Sequence, residues 1–146
     1  MNKQQDALEN VTVLDLTRVL AGPLCTQMLG DMGANIIKIE HPSRGDDTRH
    51  WGPPFADTEA AYFLGVNRNK KSLALDFKTP DGLKILKNLI KKSDVVIDNF
   101  KPGLLGKLGL TDDWFKTNAN QVIRCSITGY GNKGPHGGMP GYDFLL

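Results

Sequence analysis

Short runs rich in β-branched residues alternate along this chain with segments whose apolar residues recur at helical spacing, and that alternation sets the fold class. Val11–Leu16 is such a run and reads as a buried strand. Gly22 and Pro23 can open a helix that runs toward Met32, and Gly33 stands where a helix stops. Asn35–Ile39 is the next strand, ended by His41-Pro42. Strand, helix and strand in so short a span make a βαβ unit, whose crossover is right-handed and whose strands run parallel. Leu73–Phe77, Val95–Ile97 and Val122–Ile127 read as three further strands. Between them, Thr79-Pro80 opens a helix with Leu83, Leu86, Leu89 and Ile90 on one stripe. A short helical piece spans Leu104–Lys107, and Thr111 caps a helix through Trp114 and Phe115. Residues 43–69 show no period and read as a long polar loop, and a Gly-rich loop over 129–141 leads to a last helical segment. The expected architecture is α/β: an open Rossmann-like parallel sheet with helices on both faces, in one domain over residues 8–146.

Composition narrows the function. A chain of 146 residues, 40% hydrophobic and 23% charged, can bury a real core and is not a disordered segment. Eighteen basic residues against sixteen acidic ones leave a net charge of +2, too mild for a nucleic-acid binder but compatible with local clusters that hold a phosphorylated small molecule. Cys25 and Cys125 form neither a CxxC pair nor a disulfide framework, and read as reduced core residues in a reducing compartment. His41, His50 and His136 lack any metal-like spacing, so no metal site is expected. Met1–Asn10 is polar, without the apolar stretch of a secretory signal or the Arg-rich character of a transit peptide. No apolar run approaches the ~20 residues of a membrane span. A cytoplasmic protein is expected, or one of the mitochondrial matrix had a transit peptide been removed. The end at Phe144-Leu145-Leu146 carries no cap and no polar tail, so truncation at the carboxyl end is expected.

Ligands of open parallel sheets bind beyond the carboxyl ends of the strands. After the first strand, Thr17–Pro23 is not GxGxxG, which argues against an NAD-type pyrophosphate turn. It reads either as a tight strand-to-helix turn or as an anion contact through backbone N–H groups. Lys78 follows the third strand, and Asn99, Phe100, Lys101 and later Lys107 follow the fourth. A planar apolar group beside lysines suits a nucleotide, with a ring to contact and phosphates to neutralise, although each lysine alone reads as a surface charge. Asn67–Ser72, the densest basic segment, reads as a solvated face. The last loop has six glycines in thirteen residues but no GK[ST], so it is not a Walker motif. Tyr142 after it reads either as a hydrogen-bonding side chain or as a packing residue.

The segments Val13–Pro23, Leu29–Glu40, Gly45–Arg49, Trp51–Phe55, Asn67–Ser72, Ser126–Gly131 and Pro140–Asp143, in this order, resemble the class III (CaiB/BaiF) CoA-transferases. The likeness runs from about Leu8 to the end, over the amino-terminal part of the family's fold. It implies transfer of CoA from an acyl-CoA donor to a carboxylic acid through intermediates on one enzyme aspartate, with CoA as substrate and no prosthetic group. It also implies an interlocked homodimer. Carried over by position, the CoA contacts would be Leu20, Ala21, His41, Leu75, Asp76, Phe77, Lys78, Asn99, Phe100, Lys101 and Lys107. Met139, Pro140, Gly141 and Tyr142 would line the site near the thioester.

The family's aspartate lies downstream of Tyr142 and beyond Leu146, so no catalytic residue is named, and residues 1–146 alone are expected to bind at best and not to turn over. The formyl-CoA transferase branch has glutamine at the place of Leu20 and arginine at the place of His41, where a permanent charge gives way to a titratable imidazole. The racemase branch has histidine at the place of Tyr142, and a phenol is the poorer base at neutral pH. Arg18-Val19-Leu20, Trp51–Phe55 and Asn67–Ser72 place the resemblance nearest the branch that uses glutarate or succinate. An acyl-CoA racemase and a non-catalytic CoA-binding or dimerising module are the alternatives.

Overall fold

In this computed structural model, which describes residues 6–139 and Gly141, five parallel strands form one sheet in the order β5-β2-β1-β6-β7. They are β1 (Thr12–Asp15), β2 (Asn35–Glu40), β5 (Lys70–Ala74), β6 (Val95–Asp98) and β7 (Ile123–Ser126). The helices between them are α1 (Ala21–Asp31), α3 (Pro80–Lys91), the single turn α4 (Leu104–Lys107) and α5 (Asp112–Asn118). The strand order reverses beside β1, so the carboxyl ends of β1 and β6 diverge around a crevice.

Side chains alternate across this sheet, and each face has its own cover. Val13, Ile36 and Ile97 pack with Cys25 and Leu29 of α1. Leu14, Ile39 and Val96 face the other way, onto Leu86 and Ile90 of α3 and Phe115 of α5. Helices therefore flank both faces. α3 and α5 start where the sequence places them: Thr79 Oγ1 accepts the Gly82 N–H at 3.1 Å and Thr111 Oγ1 accepts the Trp114 N–H at 3.2 Å. Gly33 follows α1 at φ +98°, a left-handed stop.

Two expectations need correction. The third strand is Lys70–Ala74, not Leu73–Phe77, and it pairs with β2 from Ile36↔Lys70 to Glu40↔Ala74. Its α1-side residues, Lys70 and Ser72, lie in register with Ile36 and Lys38, so this patch of the sheet face is polar and hydrophobicity does not mark the strand. Leu75–Phe77 instead leave the sheet and form the approach to α3. Residues 43–69 are not a structureless loop. They hold a 3-10 turn (Asp47–His50), a two-stranded hairpin of β3 (Phe55–Ala56) and β4 (Glu59–Ala60), and helix α2 (Ala61–Gly65). Charged pairs rather than apolar periodicity hold this segment to the sheet.

Gly82, in the first turn of α3, is buried, and a Cβ there would overlap the Asp76 carbonyl. Gly82→Ala is expected to cost about 1–3 kcal/mol by overpacking, measured by urea unfolding. Wild-type stability in that variant would mean that the Asp76–Lys78 turn yields freely.

Candidate functional site

The turn from β1 into α1 is built on a buried carboxylate. Asp15 Oδ1 accepts the Thr17 N–H at 2.8 Å and the Thr17 hydroxyl at 2.5 Å, and Oδ2 accepts the Thr26 hydroxyl at 2.6 Å. The Lys70 ammonium lies 3.2 Å from Oδ2 and also donates to the Pro23 carbonyl and Asn67 Oδ1, with its side chain only 2% exposed. Burial pushes the Lys70 pKa down to about 8, with the Asp15 charge pulling the other way. The basic segment is therefore not a solvated face. Its central lysine is internal, Arg68 pairs with Asp31, and Lys71 donates to Asn35 Oδ1.

Beyond that turn, Val19 sits at φ +72°, a costly conformation for a β-branched residue. Its neighbour is clamped: Asn99 Oδ1 accepts the Arg18 N–H at 2.9 Å and Asn99 Nδ2 donates to the Arg18 carbonyl at 2.7 Å. The Val19 N–H reaches Asp46 Oδ1 at 3.4 Å. Asn99 thus joins the end of β6 to the end of β1, and its amide group is engaged in holding Arg18.

At the end of β2, a second ionic cluster fixes the turn at 41–45. Arg49 donates to both oxygens of Glu40 at 2.7 Å, and Ser72 Oγ and the Asp46 N–H donate to the same carboxylate. Burial opposes ionisation of Glu40, but the Arg49, Ser72 and Asp46 donors outweigh it and hold the pKa at about 2. Lys38, 1% exposed, pairs with Asp46 at 2.9 Å and donates to the Thr17 carbonyl. Asp46 is buried too, and the Lys38 charge together with the Thr48 donors holds its carboxyl below the usual range against that burial. The Arg49 guanidinium also lies 3.8 Å from the centroid of Phe63.

These clusters support an open cleft of about 190 Å³ at the carboxyl ends of β1 and β2. Leu16, Ile39, Leu75, Phe77, Phe100 and Leu104 give it an apolar floor, on which the rings of Phe77 and Phe100 lie 6.0 Å apart. Arg18, His41, Arg44, Asp76 and Lys78 contribute its polar lining. A planar apolar group fits the floor, and anionic groups fit the cations.

Of the residues singled out in the sequence, His41, Leu75, Asp76, Phe77, Lys78 and Phe100 come together here. Lys101 lines a neighbouring depression with Gly103 and Arg124. Leu20 and Ala21, at the start of α1, and Lys107, at the end of α4, are not among the residues lining the cleft. Met139 is exposed, and Gly141 packs on Gly129. Pro140 and Tyr142 lie outside the described residues. Among the lining residues that were not singled out are two exposed cations, Arg18 and Arg44. Arg18 directly follows the first strand and its Thr17, a position that marks it; Arg44 lies in the stretch read as loop and carries no signal. Among the described residues, no group of three His, Cys, Asp or Glu side chains could hold a metal, and no helix is long and apolar enough to cross a membrane.

Residues 8–146 match the sequence profile of CoA-transferase family III. The chain belongs to that family. A succinyl-CoA:glutarate CoA-transferase of Mus musculus is 54% identical over 138 residues, covering 94% of this chain and 32% of its own length. A succinate–glutarate CoA-transferase of Agrobacterium fabrum is 44% identical over 152 residues, 100% of this chain and 38% of the relative. The crystal structure of a CaiB/BaiF family protein from Brucella suis superposes with a TM-score of 0.91 at 46% identity, over 97% of this chain and 38% of that one. The family III chain described here thus spans about a third of the length of the curated relatives it matches.

Proposed function

We propose that this chain is the amino-terminal, CoA-binding part of an enzyme that moves CoA from an acyl-CoA donor to a dicarboxylic acid. The observation that carries the reading is the cleft itself. It sets an apolar floor with two aromatic rings beside Arg18, Arg44 and Lys78, at the strand ends where a Rossmann-like sheet takes a nucleotide. Relatives named for succinyl-CoA and glutarate support the thioester and acid classes. In this reading the floor takes the adenine of CoA, the cations take its phosphates, and the Asn99 clamp on Arg18 keeps one of those cations in place.

An aspartate supplied from beyond residue 146 would be the nucleophile. Its carboxylate attacks the thioester carbonyl and releases CoA thiolate, giving an acyl–enzyme anhydride. CoA thiolate then attacks the aspartyl carbonyl of that anhydride, releasing the donor acid and leaving an aspartyl thioester. The acceptor carboxylate attacks that thioester to form a second anhydride, and the returning CoA thiolate completes the acceptor thioester and frees the aspartate. Residues 1–146 bind and orient CoA in this scheme and contribute no covalent step. Exposed apolar side chains at Leu24 and Met28 on α1, at Met32 just after it, and at Trp51 and Phe55, support assembly as a homodimer in the manner the family resemblance implies. The two free cysteines support a reducing compartment, the cytoplasm or the mitochondrial matrix.

Incubating the whole protein with succinyl-CoA and labelled glutarate should yield labelled glutaryl-CoA, resolved by chromatography. Residues 1–146 alone should bind CoA in calorimetry and yield none. Absence of transfer from succinyl-CoA to any dicarboxylate by the whole protein would overturn the reading.

A further inference from the structure

Among the described residues, one guanidinium of the cleft has no partner. Arg44 is exposed and lines the cleft, and among the described residues its side chain makes no ion pair or hydrogen bond. Lys78 is in the same position. The other charges of the cleft are mostly satisfied. Glu40 is held by Arg49 and Asp46 by Lys38, so neither carboxylate cancels the two free cations. Arg18 has Asp47 3.8 Å away. Asp76 remains, with one oxygen accepting the Lys78 N–H. The mouth of the cleft is therefore net positive.

His41 offers an anion at most one donor. The Ser43 N–H and hydroxyl lie 3.3 and 3.1 Å from its Nδ1, which orients the ring in its own turn and leaves Nε2 as the nitrogen that can meet a ligand. The backbone that carries Arg44 is fixed. The Gly45 N–H donates to the His41 carbonyl at 2.9 Å, the Arg44 carbonyl lies 3.2 Å from His50 Nε2, and the Asp46 N–H is bound by Glu40. Only the side chain has to be ordered when an anion arrives. A guanidinium offers two parallel N–H donors to a phosphate, a match that neither imidazole nor ammonium makes.

We propose that Arg44 is a phosphate-binding residue of this cleft, which with Lys78 supplies the paired-donor, fully charged anion contact that the single free ring nitrogen of His41 does not. This deepens the CoA reading and rests on it. The phosphate is either the 3′-phosphate or the pyrophosphate of the nucleotide, and the two are separable.

Binding of CoA and of 3′-dephospho-CoA to the protein would be measured by calorimetry at low salt, for the unaltered chain and for Arg44→Ala, Arg44→Lys and Lys91→Ala. Lys91 ends α3, at the opposite end of that helix from the cleft, and controls for net charge. Arg44→Ala is expected to weaken CoA about tenfold or more, the loss of a charge-assisted contact, with Arg44→Lys losing less and Lys91→Ala nothing. A loss confined to CoA assigns the 3′-phosphate, and an equal loss with both ligands assigns the pyrophosphate. If the unaltered chain binds CoA and Arg44→Ala binds it as well, the role of Arg44 falls while the CoA reading stands. Equal weakening by Arg44→Ala and Lys91→Ala would reduce the effect to net charge and overturn the assignment. If the unaltered chain binds neither ligand, the CoA reading falls and the inference with it.

Discussion

Glu40→Gln is expected to destabilise the protein at pH 7 by about 3–5 kcal/mol, because it strips a partly buried guanidinium of its main counter-ion. Four donors converge on the Glu40 carboxylate, two from Arg49 and one each from Ser72 and Asp46. A glutamine has one acceptor oxygen for them and turns an NH₂ toward the rest. Arg49 would keep Glu59, which is more exposed, and its stacking on Phe63. The pH dependence separates a charge effect from a packing effect. The Glu40 pKa is about 2 in the fold against an ordinary 4.5, so the unfolded chain binds more protons between those values. The stabilisation is complete above pH 4.5 and is lost as pH falls toward about 2. By linkage it amounts to about 3 kcal/mol, an order-of-magnitude figure. Urea unfolding of the wild type and variant should therefore show a gap that is wide at pH 7 and narrows below pH 4.5. A gap of constant width down to pH 3 would mean that shape, not charge, makes Glu40 valuable. Because this carboxylate also pins the turn bearing His41 and Arg44, the variant should lose CoA affinity at pH 7.

The strands of the central sheet were legible because they obey a simple rule. Val13, Leu14, Val96 and Ile97 are apolar in succession, as buried parallel strands must be when helices cover both faces. Thr79 and Thr111 marked their helices because a capping hydroxyl acts within three residues, a distance that a sequence displays directly. The edge strand β5 was misplaced for the converse reason. Its α1-side side chains are Lys70 and Ser72, and only the facing Asp15 and Glu40, contributed by other strands, make those residues at home there. Residues 43–69 were unreadable on the same ground, since Arg49 holds the segment through Glu40 and Glu59 and no local period records such pairs. The cleft was half visible. Strand ends drew attention to Lys78 and Phe100 and the family resemblance to His41, whereas Arg44 became a cleft residue only through a turn folded back on β2. Asn99 was singled out as a ligand contact, and its visible role is to hold the Arg18 backbone across the crevice.

The buried pair beneath the first turn should behave differently from a surface salt bridge, and a double substitution can show it. Asp15→Asn is expected to cost about 3–5 kcal/mol at pH 7, because the Lys70 ammonium would be left with only the Pro23 carbonyl and Asn67 Oδ1 in a site closed to water. Lys70→Met alone should cost a comparable amount, since it leaves the Asp15 charge with hydroxyl and amide donors but no cation. The pair Asp15→Asn with Lys70→Met should cost clearly less than the sum, because no buried charge remains and the introduced amide oxygen can still accept from Thr17. Alkaline pH supplies an independent check. The Lys70 pKa is about 8 in the fold and 10.5 ordinarily, so the unfolded chain binds more protons in that window and this group makes stability rise with pH across it. That contribution is fully present above pH 10.5 and lost as pH falls through about 8. The deficit of Asp15→Asn should therefore shrink between pH 7 and pH 10, as Lys70 loses the charge that needed a partner. Strict additivity of the two substitutions, with a deficit independent of pH, would show that Asp15 and Lys70 are neighbours rather than a pair. The strained Val19 turn would then owe its shape to Asn99 on Arg18, Asp46 on Val19 and Lys38 on Thr17, and not to the ion pair beneath it.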